Sequence, residues 1–165
     1  MCGRYEEEGN EIYPSEEVKI LIAHKKKIGY IKSSWGFMIQ NKIVFNAKSE
    51  TLDQKKIFKN LKHCIIKADS YFEWDPSHHK VRFSSINGEP LYMAGLVRKT
   101  SHKLEHVIIT TQPNQSVQGI HTRMPLILNK QQMREWLFDI HSKEILSSIP
   151  EELDVSRNSE QISLF

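Results

Sequence analysis

The sequence predicts an α+β protein whose core is a curled antiparallel β-sheet, or barrel, with a few peripheral helices. Most apolar runs are short, rich in β-branched and aromatic residues, and bounded by turn residues. Few segments carry helix signals, and no internal repeat or low-complexity linker interrupts the chain. Because 165 residues suffice for one sizeable core, we expect a single domain over residues 1–165.

The first half contains the following candidate strands. Residues 18–23 form an apolar run compatible with helix or strand, and residues 28–39 predict one or two strands broken near Gly36. Residues 43–45 read as a buried strand that ends at Asn46, and residues 63–67 as another. Between them we expect a helix over about residues 52–61, with Ser49 or Thr51 as its cap and Glu50 in its first turn.

The second half is predicted to begin with a hairpin. Residues 81–86 and 91–97 flank Asn87-Gly88, a strong hairpin signal, and residues 104–111 give a further strand. Asn129 is expected to cap a helix over about residues 130–138, and Pro150 to end a second helix over residues 142–149. Residues 153–156 resemble a last strand.

The composition narrows the class of protein. No apolar run is long enough to span a bilayer, and the first twenty residues are acidic and polar, so we expect a cytoplasmic protein. Two cysteines make no disulfide framework, and Cys64 is expected to be a buried structural thiol. Residues 48–67 hold six lysines against Glu50 and Asp53, a pattern that attracts polyanions but also occurs on solvated helices.

Cys2 is the first candidate for chemistry. Removal of Met1 would leave it with an amine and a thiol on adjacent carbons, whose ordinary pKa values are about 8 and about 8.5. Useful fractions of free amine and thiolate are therefore expected near neutral pH. Such a residue can condense with an aldehyde and close a thiazolidine ring, or attack an amide as N-terminal nucleophile hydrolases do. Alternatively, Cys2 has no chemical role and merely happens to follow the initiator Met1.

Three further side chains are candidates on pattern alone. Glu73 lies between Phe72 and Trp74, so it is either a buried acid–base group with a raised pKa or a water-facing residue of an alternating strand. His121 lies in a loop two residues before Arg123, as a proton carrier beside an anion contact or as a surface histidine. Asn46 stands where the strand is expected to meet the helix, a place from which side chains can face a ligand.

Four motifs, taken together, carry a family resemblance: Met-Cys-Gly-Arg at 1–4, Asn-Ala-Lys-Ser-Glu-Thr at 46–51, Phe-Glu-Trp at 72–74 and Ile-His-Thr-Arg-Met-Pro at 120–125. In this order they resemble the SOS response-associated peptidase (SRAP) family, whose members process abasic sites, and the likeness covers nearly the whole chain. It implies the SRAP fold and a covalent thiazolidine crosslink between Cys2 and the aldehyde of an abasic site in single-stranded DNA. It also implies peptidase-type removal of Met1.

The resemblance implies a role for each matching residue. Cys2, Asn46, Glu73 and His121 would be catalytic, whereas Arg4, Lys48, Thr110 and Arg123 would contact DNA. No cofactor or metal is implied; His78-His79 also lack partners at metal-ligand spacing. We expect a monomer that binds single-stranded DNA and no membrane, in the bacterial cytoplasm or nucleoid.

The chain departs from the family pattern in three places. Residues 12–15 correspond to a segment that is longer in the family. The stretch from Gly36 to Asn46 is shorter than is usual in the family and lacks the usual second tryptophan. Lys48 stands where the family usually has arginine, which would bind phosphate bidentately. Two alternatives stay open at this point: a glutaminase-like amidohydrolase with an N-terminal Cys-Gly, and a DNA- or protein-binding domain with an idle Cys2.

Overall fold

The computed structural model describes residues 2–157. The strands of the first half are β1 (Tyr5–Glu7), β2 (Asn10–Ile12), β3 (Glu17–His24), β4 (Lys27–Trp35), β5 (Phe37–Ile39), β6 (Lys42–Val44) and β7 (Asn46–Lys48). Those of the second half are β8 (Lys62–Ala68), β9 (Ser70–Trp74), β10 (Lys80–Ser85), β11 (Leu91–Lys99), β12 (Leu104–Thr111), β13 (Met124–Pro125) and β14 (Leu153–Arg157). The helices are α1 (Gln115–Gln118), α2 (Lys130–Leu137) and α3 (Ser142–Leu146), and 3₁₀ turns cover Ser49–Gln54 and Lys56–Phe58.

The larger sheet closes on itself, which confirms the predicted barrel-like core. Its strands follow the order β11-β8-β3-β4-β12, and β12 pairs again with β11. Most pairs are antiparallel, but β12 runs parallel to β4 and, further along, to β7. Closure leaves few strand edges unpaired. Strand β12 extends to the end of the barrel, where Thr110 and Thr111 pair with β13.

A second, antiparallel sheet of order β14-β10-β9-β1-β2 packs against the barrel. The core between them includes Cys2, Tyr5, Trp35 and Tyr71. A second core cluster joins the barrel to α2 and α3 through Trp136, Leu137 and Ile145. The first of these two cores brings the amino-terminal strand next to β9, the strand that carries Glu73.

Several predicted elements are confirmed. Residues 18–23 lie in the strand β3, and the 28–39 segment is two strands separated at Gly36. Gly36 has φ +117°, and a Cβ there would collide with the Ile43 side chain across the β5–β6 pair, so only glycine fits. Asn129 and Gln132 form a capping box at the start of α2, while the second predicted helix ends early, at Leu146.

The hairpin predicted around Asn87-Gly88 is wrong. The turn exists, with Gly88 at φ +77°, but β10 pairs with β9 and β14, whereas β11 pairs with β8 and β12. The connection therefore passes from one sheet to the other. The dipeptide specifies a local reversal of the chain, while the strand partners are set by which face each strand buries.

The α-helix predicted over residues 52–61 is also wrong. Two 3₁₀ turns occupy Ser49–Phe58, and they are separated at Lys55, whose backbone is extended at φ −107° and ψ 119°. No side chain caps the first turn. The break brings Phe58 into the core against Phe37, with 6.1 Å between ring centroids, so tertiary packing overrides local helix propensity here.

No helix within residues 2–157 is long and apolar enough to cross a membrane. The same residues hold no group of three His, Cys, Asp or Glu side chains that could bind a metal ion.

Candidate active site

Strand pairing draws the chain from Cys2 onward into the protein. Tyr5 lies opposite Tyr71 in the β1–β9 ladder, and the Phe72 amide donates to the Arg4 carbonyl at 3.0 Å. The Tyr5 ring packs on Trp35 at 5.2 Å between centroids. Cys2, just before this ladder, is fully buried with a free thiol. Cys2, the residue whose amine and thiol could react, therefore lies inside the core and not on a mobile end.

Burial governs the state of the Cys2 thiol. Loss of solvent raises the pKa of the thiol far above its ordinary value, and the Glu73 carboxylate raises it further. The two side chains are therefore within electrostatic range of one another. The sequence-based expectation of a useful thiolate fraction near neutral pH is wrong for the folded protein. The thiol is protonated there, and its reaction requires a neighbouring group to accept the proton.

Glu73 is a candidate for that neighbouring group. It alternates with Phe72 and Trp74 along β9, so its side chain shares the inward face with Tyr71. Only 3% of the residue is exposed, which excludes the water-facing alternative. Burial raises the pKa of the Glu73 carboxyl from 4.5 to about 7, which agrees with the first of the two sequence-based alternatives. A carboxyl with such a pKa can both give and accept a proton under ordinary conditions.

His121 faces Glu73 from the loop after α1. Its amide donates to the Val117 carbonyl at 2.9 Å, which fixes the loop, and its Nδ1 accepts the Arg123 amide at 3.1 Å. A neutral imidazole that accepts at Nδ1 carries its hydrogen on Nε2, and Nε2 lies 3.5 Å from Glu73 Oε2. The ring and the carboxyl are therefore oriented for proton exchange, slightly beyond ideal hydrogen-bond length.

The His121 imidazole is held in its neutral form. Burial lowers the pKa of His121, and the backbone hydrogen bond to Arg123 only partly opposes this effect. Desolvation is thus the main cause of the lowered pKa of His121. A neutral ring beside a carboxyl of pKa about 7 gives the site one proton to move between two groups.

Asn46 and Lys48 lie on β7, opposite Ile108 and Thr110 of β12. The Asn46 amide nitrogen donates to the Phe45 carbonyl at 3.1 Å and approaches the Ile108 carbonyl at 3.5 Å. Its Oδ1 is buried and has no hydrogen-bond partner within residues 2–157. The amide is thus anchored through nitrogen and presents its oxygen as a free acceptor, suited to an N–H or O–H donor. Lys48 is exposed.

Arg123 is clamped by the protein itself. Its guanidinium donates bidentately to Glu50 at 3.0 and 2.8 Å, and to the Thr110 carbonyl at 2.9 Å. Most of its five N–H groups are therefore in use, and only 11% of the side chain is exposed. The sequence-based interpretation of Glu50 as a helix-start residue missed this partnership. The contact ties the His121 loop to the 3₁₀ turn at Ser49–Gln54.

Arg4 lies on the opposite face of the second sheet from Glu73. Its guanidinium is sandwiched between the rings of Tyr13 and Trp74, at 4.2 and 4.7 Å from their centroids, and it also approaches Glu11 at 3.6 Å. About a quarter of its side chain is exposed. Sequence reasoning did not identify these two aromatic partners. A cation held between flat rings at the surface offers a rigid charge to an anionic ligand.

The chain is similar to known sequences over most of its length. The profile of the SOS response associated peptidase (SRAP) family matches residues 2–163. Abasic site processing protein YoaM of Bacillus subtilis is 32% identical over 155 residues, which cover 82% of this chain and 67% of that protein. YoqW of Bacillus subtilis, also named an abasic site processing protein, is 32% identical over 146 residues, or 76% of this chain and 65% of its own length. The chain spans about two thirds of the length of these relatives.

Solved structures share the fold at low sequence identity. A Bordetella bronchiseptica protein superposes with a TM-score of 0.82 at 20% identity, covering 96% of this chain and 100% of the other. A Bacteroides thetaiotaomicron protein reaches 0.76 at 19% identity, covering 95% and 81%. The closed barrel and its second sheet are therefore an architecture that widely diverged sequences adopt.

Proposed function

Because this chain belongs to the SOS response-associated peptidase (SRAP) family, we propose that it processes abasic sites in single-stranded DNA by forming a covalent bond through Cys2. The family membership favours this function over a glutaminase-like amidohydrolase. The observation that carries the proposal is the Glu73–His121 pair, 3.5 Å apart, in which the Glu73 carboxylate also interacts electrostatically with the Cys2 thiol. The site combines a nucleophile with two groups able to move protons near neutral pH.

The proposed reaction proceeds in two bond-forming steps. The Cys2 amine, once Met1 has been removed, adds to the C1′ aldehyde of the ring-opened sugar, and water leaves to give an imine. The thiol then adds across the C=N bond, its sulfur joins C1′, and its proton ends on the nitrogen, which closes a thiazolidine. No oxidant or metal takes part. Since the buried thiol is protonated at rest, the amine reacts first and the thiol second.

Glu73 and His121 would divide the proton transfers between them. Protonated Glu73 supplies the proton that lets water leave, and its carboxylate then accepts the thiol proton as sulfur attacks. For ring opening, the Glu73 carboxylate takes the proton of the C1′ hydroxyl while His121 donates its Nε2 hydrogen to the ring oxygen, which frees the aldehyde. The 3.5 Å separation allows one proton to return from Glu73 to His121 between steps.

The remaining residues would position the substrate. The free Asn46 Oδ1 accepts a hydrogen from the Cys2 amine or from the sugar. Arg4 and Lys48 contact phosphates beside the lesion, while Thr110 contributes through its position at the end of β12. Arg123 is proposed as a further phosphate contact. Only the part of its guanidinium that does not bind Glu50 or Thr110 can make this contact.

Removal of Met1 belongs to the same proposal. The peptide bond between Met1 and Cys2 masks the amine that the reaction requires, so its hydrolysis activates the protein. We propose that the site performs this cleavage itself, with Glu73 as the proton carrier. The protein would act as a monomer in the bacterial cytoplasm or nucleoid, during the response to DNA damage.

The test mixes the purified protein with single-stranded DNA that contains one abasic site. Wild type should give a heat-stable shifted band on a denaturing gel. Cys2→Ala, with Met1 removed, should lose the stable band but retain an adduct that borohydride traps, because the amine alone suffices for the imine. A stable band from Cys2→Ala without borohydride would eliminate the thiazolidine. Intact mass of wild type against Glu73→Gln reports whether the site removes Met1.

A further inference from the structure

Two lysine-rich stretches that are distant in the sequence meet at one end of the barrel. Lys25 and Lys26 form the tip of the β3–β4 hairpin, and Lys62 begins β8. All three line one groove of about 360 Å³, with Leu61 and Phe138 among its apolar walls. A neighbouring groove, which shares Leu61 with the first, adds Lys59. The proposed reaction uses none of these lysines.

This end of the barrel lies opposite the candidate active site. Strand β8 runs from Lys62 to Ala68, and β9 with Glu73 follows directly, so the lysines and the acid–base pair stand at opposite ends of β8. Seven residues of strand span about 23 Å. The antiparallel pairing of Leu21 with Ile65 brings the end of β3, and with it Lys25 and Lys26, to the beginning of β8.

The lysine charges at this end are not neutralised. Lys25, Lys26, Lys59 and Lys62 are exposed, and none takes part in an ion pair with another residue in the described part of the chain. Of the acids, Asp53 lines the second groove only, and Asp139, which lines both, lies 3.9 Å from His63. The linings of the two grooves therefore contain four lysine charges and two aspartate charges.

The other end of the molecule has the opposite balance. The first twenty residues carry six acids against Arg4 and Lys19, and Glu11 already engages both Arg4 and Lys80 near the site. The net charge of +3 is thus unevenly distributed, and the excess of unpaired positive charge around the two grooves lies far from Cys2. A polyanion is attracted first to that excess, because steering follows the local field and not the net charge.

We propose that the groove formed by Lys25, Lys26 and Lys62, with Lys59 beside it, is a second binding surface for the sugar-phosphate backbone of single-stranded DNA. This inference rests on the proposed DNA substrate. The surface holds the strand at a distance from the lesion, reads no base sequence, and raises the local concentration of DNA around the protein. Lysines suit this task, because they meet phosphates as point charges without demanding bidentate geometry.

The experiment compares a Lys25→Gln/Lys26→Gln/Lys62→Gln variant with a control of equal charge change, Lys42→Gln/Lys103→Gln/Lys130→Gln. The control lysines are exposed and line neither groove. Fluorescence anisotropy with lesion-free single-stranded DNA of about 30 nucleotides, longer than typical single-strand sites, gives the affinity at several salt concentrations. Removal of one lysine–phosphate interaction should lower the slope of log K against log salt by about 0.7.

If all three lysines bind phosphates, the slope of log K against log salt should be smaller by about 2 for the groove variant than for wild type. The slope for the control should change much less. Equal slopes for the two variants would overturn the second surface. Crosslinking to an oligonucleotide of about 5 nucleotides with the abasic site at its centre separates this outcome from a failure of the proposed function, because the few nucleotides on either side of the lesion are too short to reach from Cys2 to the groove. Both variants should crosslink that oligonucleotide at the wild-type rate; a slower groove variant would mean that these lysines act at the lesion and would also overturn the inference.

Discussion

Glu73→Gln should slow crosslinking while stabilising the fold above pH 7. The substitution keeps the shape of the side chain but removes its ionisation. Since Glu73 is proposed to move protons at both bond-forming steps, its loss should lower the single-turnover rate by about 10²-fold or more. The same carboxylate is costly to the fold, because only 3% of the residue is exposed and burial disfavours its charge.

The size of the stability effect follows from the pKa of Glu73. Its rise from 4.5 to about 7 corresponds to about 3 kcal/mol, at about 1.4 kcal/mol per pH unit. Between these two pH values the folded protein holds a proton that the unfolded chain has released, so wild-type stability falls as the pH rises from 4.5 to about 7. Glu73→Gln avoids this loss, and its advantage should be absent near pH 4.5 and approach about 3 kcal/mol at pH 8.

Urea unfolding at pH 5 and pH 8, with crosslinking time courses from about pH 5 to 9, tests both effects. Glu105→Gln is the matched control, because Glu105 is also a buried carboxylate but accepts from Arg98 at 2.8 and 3.0 Å. That control should lose stability at pH 8, since it breaks a charge-assisted pair. If Glu73→Gln matches wild type in rate across the range and gains no stability at pH 8, Glu73 is a structural residue and the mechanism proposed above is wrong.

Three further predictions concern the neighbours of Glu73 and the choice of substrate. His121→Ala should slow crosslinking to a closed abasic sugar more than to a pre-opened aldehyde, measured as two single-turnover rates, because His121 is proposed to open the ring. Glu50→Gln should cost about 1 kcal/mol or less in urea unfolding at pH 7, and less still near pH 4. The Arg123 hydrogen bonds lower the pKa of Glu50, so its contribution is lost as the pH falls. Crosslinking should favour an abasic site in single-stranded DNA over the same site in a long duplex, as gel time courses with the two substrates would report, since buried Cys2 reaches the sugar only when the strand can deform.

Each of these has a clear contrary result. Equal slowing of His121→Ala on both sugars would remove His121 from ring opening. Glu50→Gln that is as stable as wild type at pH 7 would show that the Arg123 clamp contributes nothing measurable to the fold. Equal rates on single-stranded and duplex DNA would contradict the proposed strand preference.

The sequence alone determined the family and the types of residue that could act. The order of the motifs around Cys2, Asn46, Glu73 and His121 predicted the family that the profile match shows. The short β-rich runs predicted a curled sheet, and Asn129 predicted the start of α2, because capping and strand propensity are local properties. Burial of Glu73 was foreseeable only as one of two alternatives, since an alternating strand does not specify which face meets the core.

Only the tertiary structure decided how these residues are arranged. It closed the barrel through β11 and β12, sent β10 and β11 to different sheets, and replaced a predicted helix with 3₁₀ turns to bury Phe58. It raised the pKa of the Cys2 thiol where the isolated residue would be partly ionised, and engaged Arg123 with Glu50, seventy-three residues away in the chain. Partners so distant in sequence meet only when the fold brings them together, and desolvation depends on all the surrounding side chains, so neither can be read from a local pattern.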